Sequence, residues 1–551
     1  MTLRRARRCP GLTTRREGLE LLGAALVGGA LTRSAGALAG ATPVTVELRL
    51  SAARKPIDPL VFGNNDIGTM GGGAPSATLD RPLGVTLRRL GGNAVSTYNW
   101  TNGANNFGKD WHHLSGLGVP GYYLDGAAAK AEQFSAIRSV HERALADRAR
   151  SLIQLPIGPW VAADTNGVVT PNEAAPSPRW TPVTWTDSGR LEPSIDRRQA
   201  NIPQLLRRLV ARYGRASSGK GILAYSLDNE PALWHESHPR AHPRRMPIAT
   251  FLKRSVEAAR RIKAIDPSAL VLGPSFWGST ALVDFHDAPD WRRYASRYDS
   301  MLALYLHTFR KAERRAGRRL LDLLDVHWYP YSDYGQIRNT TDPALASAIL
   351  DAPRTLTEPN FVERSWVGRS LGRWPTGGLS LPILPSLREV VRRWYPGTGL
   401  AVTEFNYGHL PESALALADV LCRYLQQGVR MACHWGRLVP PIGEAYRLYR
   451  DVDGSGTSFA GSLVPTNGAP SALSVAAALD RGPAPRLHVV LINRSEVPLA
   501  VTLRSNGGRT WAVRAAAGFS TLDPHLRRLD PPVDQAPLVV PALSAHHYLL
   551  Q

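Results

Sequence analysis

Gly221-Ile222-Leu223-Ala224-Tyr225 runs into Ser226-Leu227-Asp228-Asn229-Glu230-Pro231, and Gly399-Leu400-Ala401-Val402 runs into Thr403-Glu404-Phe405-Asn406. Each is a short unbroken apolar run closed by a polar cluster. That pattern fits a strand buried on both faces, the kind that makes parallel sheets. The two glutamates are 174 positions apart, so only a fold brings them together. Two carboxylates at the same end of one sheet are the chemical minimum for cleaving a glycosidic bond. One gives a proton to the leaving oxygen, and the other attacks the sugar or activates a water. A lone glutamate at a strand end can equally cap a helix or pair with an arginine. Two in matching contexts weaken that alternative.

Outward from these two runs the same grammar repeats. Candidate strands are Leu60–Asn64, Leu87–Asn93, Leu152–Pro156, Ile222–Leu227, Leu270–Pro274, Leu324–His327, Leu400–Glu404 and Met431–Trp435. Amphipathic helical stretches such as Ile202–Tyr213 and Ile248–Ile265 separate them, which implies parallel β/α units. Eight units spanning residues 58–445 predict a (β/α)8 TIM barrel, whose active site lies at the C-terminal ends of its strands. The polar residues Asn64, Asn93, Glu230, His327, Glu404 and Trp435 all fall at such ends. The stretch between Tyr331 and Leu400 is long for a loop and reads as a partly helical insertion over that face. Residues 446–551 change character. Leu487–Asn493, Leu499–Leu503, Trp511–Arg514, Leu538–Val540 and His546–Leu550 are short β segments between Gly, Asn and Pro turns. They predict a C-terminal antiparallel β-sandwich domain. Val44–Leu50, within residues 40–57, alternates like a strand and is expected to join that sandwich.

The 551-residue chain carries a net charge of +21, built from 59 Arg and 7 Lys. The arginines are dispersed along helical segments, and no nucleic-acid motif accompanies them, so we read solvated faces rather than a nucleic-acid surface. At the N-terminus Arg15 and Arg16 precede the apolar run Leu21–Val27, and Ala37-Leu38-Ala39 offers small residues for cleavage. The run is too short for a permanent span. Residues 1–39 therefore read as a Tat-type signal peptide of a secreted or periplasmic protein with no stable membrane anchor. Losing them removes seven Arg and two Glu and leaves +16. Cys422 and Cys433 then remain; an oxidising compartment would allow them to pair, but they read as buried free thiols, and neither sits in a zinc spacing.

Asn229 beside Glu230 can hydrogen-bond a sugar 2-OH, a contact that tightens as positive charge develops on the ring. Asn93, Tyr98, Trp100, Trp234, His327, Trp328, Tyr329 and Trp435 are further candidate substrate contacts. Aromatic faces stack on the apolar faces of pyranose rings, and His327 and Tyr329 add hydrogen-bonding groups. His235, His238 and His242 have a spacing that one helical face would gather for zinc, but Pro239 and Pro243 interrupt a helix, so a structured loop is expected. Asp451, Asp453 and Gly454 weakly resemble a calcium loop without its closing glutamate. No other cofactor or metal motif is present.

At this point the chain resembles glycoside hydrolase family 44. The resemblance lies in Arg89-Leu90-Gly91-Gly92-Asn93, Tyr98-Asn99-Trp100, Leu227 to His235 with His238-Pro239-Arg240 and His242-Pro243, Asp325 to Pro330, Thr403 to Gly408, and Tyr449 to Phe459. Leu90 stands where the family often has an aromatic, and Thr97 where it has an arginine; these departures bear on substrate preference. The resemblance implies a barrel plus sandwich of the retaining clan A, and endo-hydrolysis of β-1,4-glucans such as cellulose derivatives or xyloglucan. It also implies that Glu230 is the acid/base and Glu404 the nucleophile. The expected partner is a polysaccharide, acted on by a monomer. A sibling glycosidase acting on xylan or mannan is the alternative, and a non-catalytic carbohydrate-binding protein a more distant one.

Overall fold

A computed structural model describes residues 40–551 except 66–82, 123, 125, 334, 362, 368–378, 483, 507–510 and 533–535. The proposed signal peptide, residues 1–39, lies outside the described residues. Residues 42–551 pack as one unit.

Eight strands close a parallel barrel in sequence order: β1 (Gly63–Asn65), β2 (Leu87–Leu90), β3 (Arg150–Leu155), β4 (Ala224–Leu227), β5 (Leu270–Trp277), β6 (Leu323–His327), β7 (Gly399–Phe405) and β8 (Val429–His434). Every one of the eight expected runs is a barrel strand, with shifted ends. The first begins at Gly63 because Asp58 caps a 3-10 turn over Pro59–Val61, accepting the Leu60 N–H at 3.1 Å. The second stops at Leu90 because Gly92 turns to φ +102°, away from extended backbone.

Helices follow strands as the pattern predicts. Asn201 caps Ile202–Tyr213 by accepting from the Gln204 N–H at 3.0 Å, and Ser300 caps Met301–Ala316 through the Ala303 N–H at 3.2 Å. The stretch after Tyr331 contains a short hairpin (Tyr331–Ser332 with Gly335–Gln336), the helix Ala346–Asp351 and the barrel helix Ile383–Trp394.

Of the strands outside the barrel, most lie in two sheets of four and seven strands, and the rest in small two- and three-stranded sheets. Thr42–Leu48 lies in the four-stranded sheet and runs parallel to Leu499–Ser505, a parallel pair in an otherwise antiparallel arrangement. The strand expected at Trp511–Arg514 instead runs Val513–Ser520. Side-chain alternation along Leu487–Asn493 shows how the layers stack. Val489 and Leu491 enter the core between the two sheets with Val46 and Val501. Val490 and Ile492 face the other way, into the core that holds the barrel helices. One strand therefore belongs to both cores, and the sandwich is fixed to the barrel by apolar burial.

Candidate active site

The strand ends assemble four charged groups. Arg89 on β2, Glu230 just after β4, His327 ending β6 and Glu404 on β7 converge at the C-terminal mouth of the barrel. Glu230 is positioned by an unusual turn. Asp228 and Glu230 both adopt left-handed backbone, φ +68° and +41°. Such conformations cost on the order of 1–3 kcal/mol and persist where the surroundings hold them. Here the Asp228 carboxylate accepts the Ile157 N–H at 2.6 Å, the Gly158 N–H at 3.1 Å and the Asn229 N–H at 2.9 Å. The Glu230 N–H donates to the Ser275 carbonyl at 3.0 Å.

Glu404 is aimed by a β-bulge. Val326 pairs with Val402 and His327 with Glu404, leaving Thr403 as the extra residue. The bulge turns both Thr403 and Glu404 toward His327, a device common beside active sites. His327 is buried, with Nδ1 2.8 Å from Glu230 Oε1 and 3.5 Å from Glu404 Oε2. One atom from each of Glu230, His327 and Glu404, a carboxylate oxygen or a ring nitrogen, lies within 4.8 Å of the other two. That spacing alone would also suit a metal ion. The guanidinium 2.7 Å from Glu404 already supplies the positive charge a cation would bring.

Environment divides two chemically identical carboxyls. Arg89 Nη1 donates to Glu404 Oε1 at 2.7 Å, and the Tyr329 hydroxyl donates to Glu404 Oε2 at 2.9 Å. Burial by itself would raise Glu404; the charges on His327 and Arg89, with those hydrogen bonds, outweigh it and hold Glu404 below the usual carboxylate range. Glu230 has the opposite balance. Burial pushes it up, the His327 hydrogen bond pulls it down, and the neighbouring Glu404 charge helps keep it above its ordinary value. Glu230 keeps 12% of its side-chain surface open, against 5% for Glu404. The carboxyl that is pushed upward is therefore the more accessible one.

Arg89 also organises the floor of the site. It donates to Asn65 Oδ1 at 2.7 Å and to Asn229 Oδ1 at 2.9 Å. Asn229 in turn donates to Asn93 Oδ1 at 3.1 Å, and Asn93 to Asp110 Oδ2 at 2.9 Å. With Oδ1 fixed by Arg89 and one N–H given to Asn93, a second Asn229 N–H is left over. Asn65, rather than Asn64, is the inward residue of β1. Arg338, from the stretch after β6, lies 4.9 Å over the Tyr329 ring and adds positive charge near Glu230.

The aromatic expectations divide. Trp435 is half-buried and lines a cavity of about 660 Å³ with Asn93, Phe107, Asp110, Trp111 and Tyr122. Its ring covers the bare backbone of Gly92, where a Cβ would stand 2.6 Å from a ring carbon. Trp100, Trp234 and Trp328 are instead packed in the interior, between 2% and 3% exposed, and lack the open face that stacking on a sugar needs. Trp234 stacks on His242 and donates Nε1–H to the Asn229 carbonyl at 3.0 Å, so it supports Asn229 from behind. Tyr98 is buried as well, its hydroxyl taking the Ala136 N–H at 3.3 Å. Tyr329 holds a carboxylate. Half-exposed rings that the strand-end reading missed are Trp111, 60% exposed at the cavity rim, and a cluster of Trp277, Trp366 and Tyr331.

Neither metal-like spacing gathers ligands. His238 bonds Ser237, His242 stacks on Trp234, and His235 meets Arg245, so the three imidazoles have separate partners. In the calcium-like loop Asp453 takes the Ser455 and Thr457 N–H groups, and Asp451 takes the Gly456 N–H and pairs with Arg528. Cys422 and Cys433 are free and buried.

A model of glycoside hydrolase family 44 matches residues 104–332. Endoglucanase A of Paenibacillus lautus is 32% identical over 536 residues, covering 93% of this chain and 73% of that protein. A family 44 xyloglucanase from Paenibacillus polymyxa shares the fold with a TM-score of 0.85 at 32% identity, over 93% of this chain and 100% of that one. A family 44 endoglucanase from Clostridium thermocellum gives 0.84 at 31% identity, over 93% and 100%. Identity of this order along nearly the whole of both chains, on a barrel that brings two carboxylates together at its mouth, places this protein in glycoside hydrolase family 44.

Proposed function

We propose that this chain is a retaining endo-β-1,4-glucanase acting on soluble β-glucans, xyloglucan among them, with Glu230 as acid/base and Glu404 as nucleophile. The observation that carries this reading is a pair of carboxyls with an oxygen of one within 4.8 Å of an oxygen of the other, Glu230 pushed above and Glu404 held below the usual carboxylate range. Retaining glycosidases keep their carboxyls about 5–5.5 Å apart, whereas inverting enzymes leave about 6.5–9.5 Å for a water. In the first step Glu404 attacks the anomeric carbon as the glycosidic bond breaks, and Glu230 gives its proton to the departing oxygen. In the second, Glu230 takes a proton from water, whose oxygen displaces Glu404 from the same carbon. The free Asn229 N–H is suited to the 2-OH of the reacting sugar. The rings of Trp435, Trp111 and the Trp277–Trp366–Tyr331 cluster are suited to sugars on either side of the cut.

Proton NMR of the first products reads the stereochemistry; an inverted anomer would remove Glu404 from the nucleophile's role. Viscosity of xyloglucan or carboxymethylcellulose should fall well before reducing ends accumulate. Release of monosaccharide alone would sink the endo reading, and activity confined to mannan or xylan would move the chain to another substrate class. For export, we propose the twin-arginine route. Changing Arg15 and Arg16 to Lys should hold the precursor in the cytoplasm, and undiminished secretion of that variant would refute the assignment.

A further inference from the structure

Beneath the two glutamates runs a chain of hydrogen bonds that settles where the protons on His327 sit. Asp325, fully buried on β6, accepts the Ser275 hydroxyl at 2.6 Å, the Thr403 N–H at 3.2 Å and the Thr403 hydroxyl at 2.8 Å. A threonine hydroxyl has one hydrogen. With that hydrogen directed at Asp325, Thr403 Oγ presents only lone pairs to His327 Nε2, 3.3 Å away. Nε2 must then carry a proton. The other ring nitrogen, Nδ1, lies 2.8 Å from Glu230 Oε1, a distance two bare acceptors do not hold. One proton occupies that line, on Oε1 or on Nδ1.

We propose that Thr403, aimed by Asp325, is a positioning residue for the proton of Glu230. By pinning one His327 proton on Nε2, it leaves Glu230 and Nδ1 to share a single second proton. When Glu230 has given that proton to the leaving oxygen, its carboxylate faces a bare Nδ1. Neither atom can satisfy the other, so the pair recovers a proton readily, and the attacking water supplies it. Without the Thr403 hydroxyl the remaining proton is free to move from Nε2 to Nδ1 and to satisfy the Glu230 carboxylate directly. The deprotonated pair is then no longer penalised, and its proton is lost at lower pH. The other charged or titratable groups bearing on this pair are Glu404 from β7, Arg89 from β2, Asp325 from β6, and Arg338 and Tyr329 from beyond β6. All of them are retained when only Thr403 is altered.

The kinetic part rests on Glu230 being the acid; the tautomer does not, so two measurements separate the ideas. In wild-type protein labelled with 15N-histidine, the His327 Nε2 resonance should be that of a protonated nitrogen throughout the active pH range. An unprotonated Nε2 overturns the proposal whatever Glu230 does. In Thr403→Val the basic limb of kcat/KM on an unactivated β-glucan should move down by about 1–2 pH units, the size expected for gaining one hydrogen bond to a charged group. Thr403→Ser, which keeps the hydroxyl, should restore the wild-type limb. A limb unmoved in Thr403→Val, with the wild-type Nε2 protonated, refutes the positioning role. Equal shifts in Val and Ser would do the same. A protonated wild-type Nε2 whose Glu230→Gln variant keeps the wild-type basic limb would instead refute Glu230 as the acid.

Discussion

Replacing Tyr329 by Phe removes one oxygen and tests how Glu404 is kept ionised. The Tyr329 hydroxyl donates to Glu404 Oε2 at 2.9 Å inside a buried site, and Phe keeps the ring that Arg338 covers. A hydrogen bond to a charged group contributes about 1.5–3 kcal/mol, and one pKa unit corresponds to about 1.4 kcal/mol, so the outer range is about one to two units. The His327 and Arg89 charges and the Arg89 hydrogen bond act more strongly on Glu404 than Tyr329 does. The lower end, about one unit, is therefore the expectation. The sign follows from the role proposed for Glu404, which must be ionised to attack. Activity is lost as pH falls through its depressed pKa, and weakening the support moves that loss to higher pH. The acid limb of kcat/KM on xyloglucan or carboxymethylcellulose should rise by about one unit in Tyr329→Phe. The basic limb should stay, because the hydroxyl touches Glu404 and not Glu230. An acid limb that does not move, or two limbs that move together, would refute this account of the charge balance.

Glu230→Gln should lose about 10²–10⁴ in rate on natural β-glucans and far less on aryl glycosides with good leaving groups; equal losses on both would refute the acid assignment. Gly92→Ala should lower kcat/KM by displacing the Trp435 ring, since its φ of +102° and the 2.6 Å approach both oppose a side chain; unchanged kcat/KM would show that Trp435 has no part in binding. Burial pushes His242, His434 and His547 down to about 3, and His238 and His546 down to about 4. The unfolded chain therefore takes up protons below about pH 6.5 that the fold refuses, and stability should fall as pH drops, by up to about 1.4 kcal/mol per pH unit for each histidine. Urea midpoints at pH 7 and pH 5 that coincide would contradict this.

The barrel was legible because parallel strands buried on both faces leave a plain trace: an apolar run, then a polar residue where the strand meets the mouth. Glu230 and Glu404 could be found for the same reason. What the trace does not carry is direction. Asn64 and Asn65 are adjacent, and which one points inward depends on a 3-10 turn capped by Asp58, which delays the start of β1. Likewise Thr403 and Glu404 would face opposite sides of a regular strand; a bulge seen in the pairing with β6 and again in that with β8 turns both inward. The aromatics failed differently. A tryptophan ring suits a core as well as it suits a sugar, and sequence position does not separate the two. Trp100 and Trp234 went to the core, while Trp111, Trp277 and Trp366 keep exposed surface outside the strand-end motifs that drew attention to the others.

The electrostatic difference between the two glutamates, on which their proposed roles rest, lay furthest from view. Their residue type is the same, and each closes a similar run. The distinction comes from a guanidinium 315 positions away from Glu404 in the chain, and from a histidine that stands closer to Glu230 than to Glu404. Arg89 reaches Glu404 because barrel closure leaves only β1 and β8 between β2 and β7; its Nη1 is shared by Glu404 and Asn65, and its Nη2 donates to Asn229. Removing Arg89 would leave Glu404 buried with one charge partner fewer and free the Asn229 amide at the same time. A closed barrel thus couples the ionisation of one carboxyl to the placement of the amide beside the other, although no local motif contains both.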